Sequence, residues 1–263
     1  MPVGDPFLRM GTRGIDVADW LNVDEQTEDE LTLRASLLGQ HPDHAELLAG
    51  HDDSLAELIE LVETQIAGPL RTGPQVAGVR PELANLAVTV PEDLLIMVRG
   101  RDDWTLAGGV LLFPDQWRLP DKIGRSMAGI HEPTDGYDEL LEAKVDQFFD
   151  RLKAGRLVRR RNWFIHDEPV HFLDRHISQE PFDDPSAAAS LWVRSERQTL
   201  RRLDRSDAII FTVKTQFAPL AELRVRPELA EQMATFIEHA SIRSLDNKDI
   251  AGRSDAIVKF LRS

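Results

Sequence analysis

Leu94-Leu95-Ile96-Met97-Val98-Arg99, then Gly100-Arg101-Asp102-Asp103, then Trp104-Thr105-Leu106-Ala107-Gly108-Gly109-Val110-Leu111-Leu112-Phe113: two apolar runs around a polar turn decide the fold. Each run is too short for a buried helix, and the turn has hairpin length, so the stretch reads as two antiparallel strands. Pro114 ends the pair. Downstream, two helical segments are expected near 119–129 and 136–153. The second carries Leu140, Leu141, Val145, Phe148, Phe149 and Leu152 at helical spacing, with Gly155 as its stop. Three further strands are expected at Arg156–His166, Leu191–Leu203 and Ala208–Phe217, the first two separated by a proline- and acid-rich excursion, 167–189.

The order strand, strand, helices, strand, strand, strand suits an α+β fold with a PAS-like antiparallel sheet. Its crossover helices would cover one face and leave a ligand-sized space. Outward from this core (91–225), residues 1–90 read as an N-terminal helical region and 226–263 as C-terminal helices. Two capping boxes, Thr27-Glu28-Asp29-Glu30 and Ser54-Leu55-Ala56-Glu57, are expected to open the first two helices. Gly68-Pro69 closes the second, because proline cannot continue the backbone ladder. At the other end, 227–241 and 247–261 read as helical.

Composition narrows the chemistry. A chain of 263 residues can bury a sizeable core. It has no cysteine, which removes disulfides, cysteine-held metals, iron–sulfur clusters on this chain and thiolate nucleophiles. Residues 1–11 hold no apolar run of signal-peptide length, and no stretch approaches a membrane span, so a cytoplasmic location is expected. The net charge of −14 disfavours nucleic acid. Bases nevertheless concentrate in 151–161 and 194–205, where exposed arginines could receive an acidic electron-transfer partner. Gly-rich nucleotide loops, the serine-elbow motif and the two-histidine zinc motif are missing, so redox cofactors such as NADPH or flavin would have to sit on another protein.

Of the eight histidines, His41, His44, His51, His171, His176 and His239 read as solvated. His131, between the crossover helices, and His166, at a strand end, are the candidates for chemistry, with a helix cap and a backbone-bonded imidazole as the plainer roles. Strand alternation puts Asn162, Phe164 and His166 on one face. Asp167 points the other way, a poor partner for His166. Arg194, Glu196 and Arg197 lie in a strand that should be partly buried, where arginine needs an anion. A haem propionate, a phosphate, Glu196 itself or a protein surface would serve. Arg194 and Arg197 face opposite sides of an ideal strand.

An ordered series of residues resembles a known family. The series is Ala18-Asp19-Trp20-Leu21, Ala107 through Pro114, Trp117, Lys122-Ile123-Gly124, Ile130-His131 with Pro133 and Gly136-Tyr137, Asn162-Trp163 with His166-Asp167, and Arg194 with Glu196-Arg197-Gln198-Thr199-Leu200 and Arg202-Leu203. It is similar to the haem-dependent oxidative N-demethylase alpha-subunit-like family and spans residues 15–250. The sequence departs from the family pattern at Thr134-Asp135 and at Asp204. The resemblance implies haem b in a PAS-like fold and O2-dependent demethylation of a small secondary amine such as dimethylamine, giving formaldehyde. Reductase subunits bearing flavin and an iron–sulfur cluster would deliver electrons from NADPH. It implies His131 as the axial iron ligand, with His166 as the alternative or a distal group. Arg194, Arg197, Asn162, Phe164 and Tyr137 would line the cofactor, and Glu196 and His166 would act in catalysis. The competing expectations are a haem or small-ligand sensor without turnover, and a cofactor-free protein-binding homologue.

Overall fold

The computed structural model describes residues 11–101, 103–131 and 139–263, with backbone alone at 131 and 139–144. Seven strands form one sheet: β1 (Arg13–Gly14), β2 (Ala45–Leu47), β3 (Asp93–Arg99), β4 (Trp104–Val110), β5 (Leu157–His166), β6 (Trp192–Arg202) and β7 (Ile209–Pro219). Their order is β1-β5-β6-β7-β3-β4-β2, and every pairing is antiparallel. The chain is therefore α+β, and the five expected strands are present. β4 stops at Val110 rather than at Phe113. The amides of Leu112 and Phe113 donate to the Asp93 carboxylate, and that of Leu111 to the His44 carbonyl, so none is left for a ladder.

Helices cover both faces. Helices α1 (Thr27–Gln40), α2 (Asp52–Ile66) and α3 (Pro81–Ala87) pack Leu38, Leu55, Leu58 and Leu83 against Leu94, Ile96, Val110 and Ile210 of one face. On the other lie α4 (Leu119–Lys122), α5 (Met127–His131) and α6 (Glu139–Arg151). There Leu119, Met127, Val145 and Phe149 meet Leu95, Met97, Val158, Leu200 and Ile209. Each such aliphatic side chain, fully buried, stabilises by about 1.5–3 kcal/mol. A third core joins Ile165 and Val193 to α7 (Pro227–His239) and α9 (Ser254–Arg262), with α8 (Ile242–Asp246) between them.

Several local expectations are corrected. The N-terminal ninety residues are not purely helical: β1 and β2 come from them and join opposite edges of the sheet. Neither capping box forms. Thr27 Oγ1 accepts from the Asp24 amide, and Glu30 reaches Lys214 of β7 instead of its own helix end. Glu57 accepts from the amides of Asp204, Arg205 and Ser206, so it holds the β6–β7 turn. Burial pushes the Glu57 carboxyl up, but those donors more than offset it and hold it below its ordinary value. The expected helix over 119–129 divides because Gly124 and Arg125 bond to Leu106 of β4. The expected helix over 247–261 begins only at Ser254, after Asp249 adopts φ 54°.

Candidate functional site

The β5–β6 register builds the site. Asn162 lies opposite Glu196, and Phe164 opposite Arg194, with Thr215 and Phe217 of β7 completing the two rows. Alternation puts His166 on this face too, the one that also carries the Leu200 and Val158 core. Arg194 is 0% exposed. Its guanidinium donates to the carbonyls of Phe113 (2.5 Å) and His171 (3.3 Å) and to Thr215 Oγ1 (3.3 Å). Its charge meets Glu196 Oε1 at 3.3 Å and Asp115 Oδ2 at 3.9 Å. A buried arginine so enclosed satisfies the need for an anion. Gln198 Nε2 donates to the other Glu196 oxygen at 2.9 Å.

Asp115 turns inward directly after Pro114. Its Oδ1 lies 3.1 Å from His166 Nε2, with both side chains nearly fully buried. The pair is out of line for a hydrogen bond. Both oxygens of Asp115 and both ring nitrogens of His166 therefore remain buried without a hydrogen-bond partner among the described residues. Unsatisfied polar atoms in a buried cluster are costly and characteristic of a site that receives something.

Further cations and a neutral imidazole line the same face and its edge. Lys248 Nζ sits over the rings of Trp163 and Phe164, at 4.3 and 4.8 Å, and donates to the Trp163 carbonyl. Burial pulls its ammonium down to about 8. Arg253 donates to the Ile165 carbonyl and to Asp167, so Lys248 and Arg253 together occupy the carbonyls on the outer edge of β5. Arg160 is half-buried on the site face. Burial lowers its guanidinium pKa, the Glu196 charge opposes that, and no carboxylate of the described residues is in ion-pair contact with it. His171 packs its ring on Phe113 and Phe217. Burial, then the charges of Arg194, Lys214 and Arg34, pull it down to about 4, so it is neutral at neutral pH.

Of the residues marked by sequence, the fold brings together His166, Glu196, Arg194, Asn162 and Phe164. It does not bring Arg197 to them. Arg197 is on the opposite face and donates to the carbonyls of Asp19 and Trp20. The backbone of His131 ends α5, whose Met127 and Ile130 pack in the core of the site face. The His131 side chain and all of Tyr137 lie outside the described residues. Two histidines expected in solvent are not there: His44 is 0% exposed and bonded to the Leu111 carbonyl, and His171 is in the site. Asp115, His171 and Lys248 have no sequence signal of their own, because each reaches the sheet from a distant loop or helix. Among the described residues no group of three or more His, Cys, Asp or Glu could hold a metal ion. A haem iron needs only one protein imidazole.

The opposite face holds a second ionic cluster. Lys214, 0% exposed, bonds Glu30, and Glu92 accepts from the Asn22 amide at 2.7 Å. Burial pushes Glu92 up to about 7, opposed by the Asn22 donor and by Lys214 and Arg197. A carboxyl raised in the folded state binds a proton that the unfolded chain has already released. Its contribution is present below the ordinary 4.5 and is lost as pH rises through about 7. Glu92→Gln is therefore expected to match the parent at pH 4.5 and to be more stable at pH 8, by on the order of 2 kcal/mol. Urea midpoints at the two pH values measure this, and an equal shift at both would contradict the assignment.

An antiparallel sheet with helices on both faces and a buried ionic cluster on each defines an α+β protein whose β5–β6 face carries a buried polar site. A family model described as haem-dependent oxidative N-demethylase, alpha subunit-like, matches residues 69–258, and the chain belongs to that family.

Proposed function

We propose that the chain carries out haem-dependent, O2-using oxidative N-demethylation of a small secondary amine such as dimethylamine, giving formaldehyde and the shorter amine. The observation that carries this is the Asp115–His166 pair, buried with four polar atoms that have no hydrogen-bond partner among the described residues, in a chain of a family described as haem-dependent. The five central strands run β4-β3-β7-β6-β5, with α4–α6 as the crossover between the second and third in sequence. That order supports a PAS-like core over 91–225, with 1–90 and 226–263 as additions.

The residues present fit a haem b. His131, ending a crossover helix on the site face, would ligate the iron, with His166 as the alternative. Arg160, half-buried and without an ion-pair carboxylate among the described residues, would meet a propionate, while Arg194 would hold Glu196 and Asp115 in place behind it. Phe164, Asn162 and Tyr137 would line the ring. Bound haem would supply the iron that activates O2.

The chain's own residues handle the amine. A secondary amine is a cation at neutral pH, and the buried carboxylates Asp115 and Glu196 attract it. Glu196 is already hydrogen-bonded by Arg194 and Gln198, so Asp115, whose oxygens accept no hydrogen bond from the described residues, is the acceptor for an ammonium N–H. His166 Nδ1, turned away from Asp115, takes the proton that frees the nitrogen lone pair, and Glu196 relays it outward. Overall, one oxygen atom of O2 ends in formaldehyde and the other in water, and two electrons and two protons enter from outside. Without cysteine or a nucleotide loop, this chain draws those electrons from reductase subunits bearing flavin and an iron–sulfur cluster, fed by NADPH. A cytoplasmic location suits that supply. No helix of the described residues is long and apolar enough to cross a membrane.

The test compares three proteins expressed with haem supply. His131→Ala is expected to lose the Soret band. His166→Ala is expected to keep it and to lose formaldehyde release from dimethylamine with a surrogate electron donor, by 100-fold or so for loss of a general base. The opposite pattern makes His166 the iron ligand. Full haem with no formaldehyde from any methylamine favours a sensor, and colourless protein favours a cofactor-free homologue.

A further inference from the structure

One margin of the sheet gathers several cations that have no counter-charge among the described residues. In a chain with 45 acids and 31 bases, carboxylates are plentiful. Several arginines elsewhere take them: Arg71 pairs with Glu28, Arg80 with Asp52, Arg205 with Glu60, and Arg262 with Glu231 and Glu238. Arg13, Arg151, Lys153, Arg156, Arg159 and Arg161 have no carboxylate of the described residues in ion-pair contact. All six side chains are exposed except half-buried Arg159.

The fold concentrates them. Arg13 of β1 lies directly opposite Arg159 of β5, and Arg161 opposite Arg197 of β6. Like charges opposed across strands destabilise a sheet by tenths of a kcal/mol to about 1 kcal/mol. Segment 151–161 contains no acid to relieve them. A surface that keeps repulsion which a single Glu would remove is shaped for an external anion. Strand addition is not the mode. Lys248 and Arg253 already hold the Trp163 and Ile165 carbonyls along the outer edge of β5, so a partner meets side chains.

We propose that this β1–β5 margin is the docking surface for an acidic electron-carrier protein. The assignment rests on the oxidative reading above, since that chemistry needs electrons this chain has no group to supply. Compactness selects the class of partner. A long nucleic acid would run from the patch onto the surface of a chain whose net charge is −14. A membrane would need an apolar anchor, and 151–161 has no large exposed apolar side chain. A small acidic protein fits the patch alone. β5 is a direct route inward, because its other face carries Asn162, Phe164 and His166.

The experiment uses the full chain and an acidic plant-type [2Fe–2S] ferredoxin as probe, with binding followed by biolayer interferometry at low and moderate salt. Saturable binding is expected, weakened about tenfold by raising NaCl from 20 to 200 mM. The Arg156→Glu/Arg159→Glu/Arg161→Glu protein is expected to lose it while retaining its circular dichroism and haem content. Should charge reversal disturb folding, the triple Gln variant gives the same readout. Binding unchanged in a folded variant overturns the proposal. So does absence of ferredoxin binding, whether or not phosphatidylglycerol vesicles or a 20-base-pair duplex bind instead. Haem content is read separately. Colourless protein that still binds ferredoxin through these arginines overturns the demethylase reading and leaves the docking surface standing.

Discussion

Asp93→Ala is expected to destabilise the protein by about 3–5 kcal/mol, the cost of leaving one member of a buried ion pair uncompensated. Arg34 and Asp93 are both 0% exposed and lie 2.7 Å apart. Arg34 also donates to the Ala87 carbonyl, so it cannot swing to solvent without breaking a second bond. The same carboxylate accepts the amides of Leu112 and Phe113, which would be stranded as well. The consequence travels to the site. The Phe113 carbonyl receives Arg194, and Asp115 is two residues further on. A lowered urea midpoint with an unchanged slope would measure the stability loss. Arg34→Met/Asp93→Leu, which removes both charges, is expected to recover much of it. A single variant as stable as the parent would contradict this assignment of the bridge.

Gly109→Ala is the second large effect, expected at 3 kcal/mol or more and seen as insoluble or largely unfolded protein. Gly109 has φ 142°, and an added Cβ would lie 2.0 Å from the Leu94 carbonyl oxygen and 2.9 Å from the Leu95 Cα. Both are backbone atoms of the paired strand β3, so no side chain can move aside. Gly39→Ala is the control. Nothing lies within 4 Å of its added Cβ, and it sits within α1. It is expected to be neutral or stabilising by up to about 1 kcal/mol. Comparable losses at both positions would show that the sheet does not depend on the close β3–β4 approach.

The sheet was legible because its strands announce themselves locally. Leu94–Arg99 and Trp104–Val110 are apolar runs split by a polar turn, and Asn162, Phe164 and His166 alternate onto one face. Signals that depend on a distant partner misled. Glu30 and Glu57 stand where a capping box needs them, yet one neutralises Lys214 and the other binds the amides of 204–206. A tertiary partner outcompeted the local cap in both cases. The candidate site was half legible for the same reason. Arg194 and Glu196 are two apart on a strand, so their shared face follows from alternation. Asp115 comes from the end of a different hairpin, Lys248 from the C-terminal helices and His171 from the 167–189 excursion. No periodicity links those three positions to β5. Trp20 in its motif likewise gave no hint that its carbonyl would fasten Arg197 to the far face.

The central claim is that the α4–α6 side of this sheet holds a haem through one imidazole. An absorption spectrum of the protein expressed with haem supply, quantified as the pyridine haemochrome, tests it most directly. The account predicts a Soret band, close to one haem b per chain, and its loss in His131→Ala. Protein that folds, stays colourless and gains no Soret band on addition of haemin would contradict it.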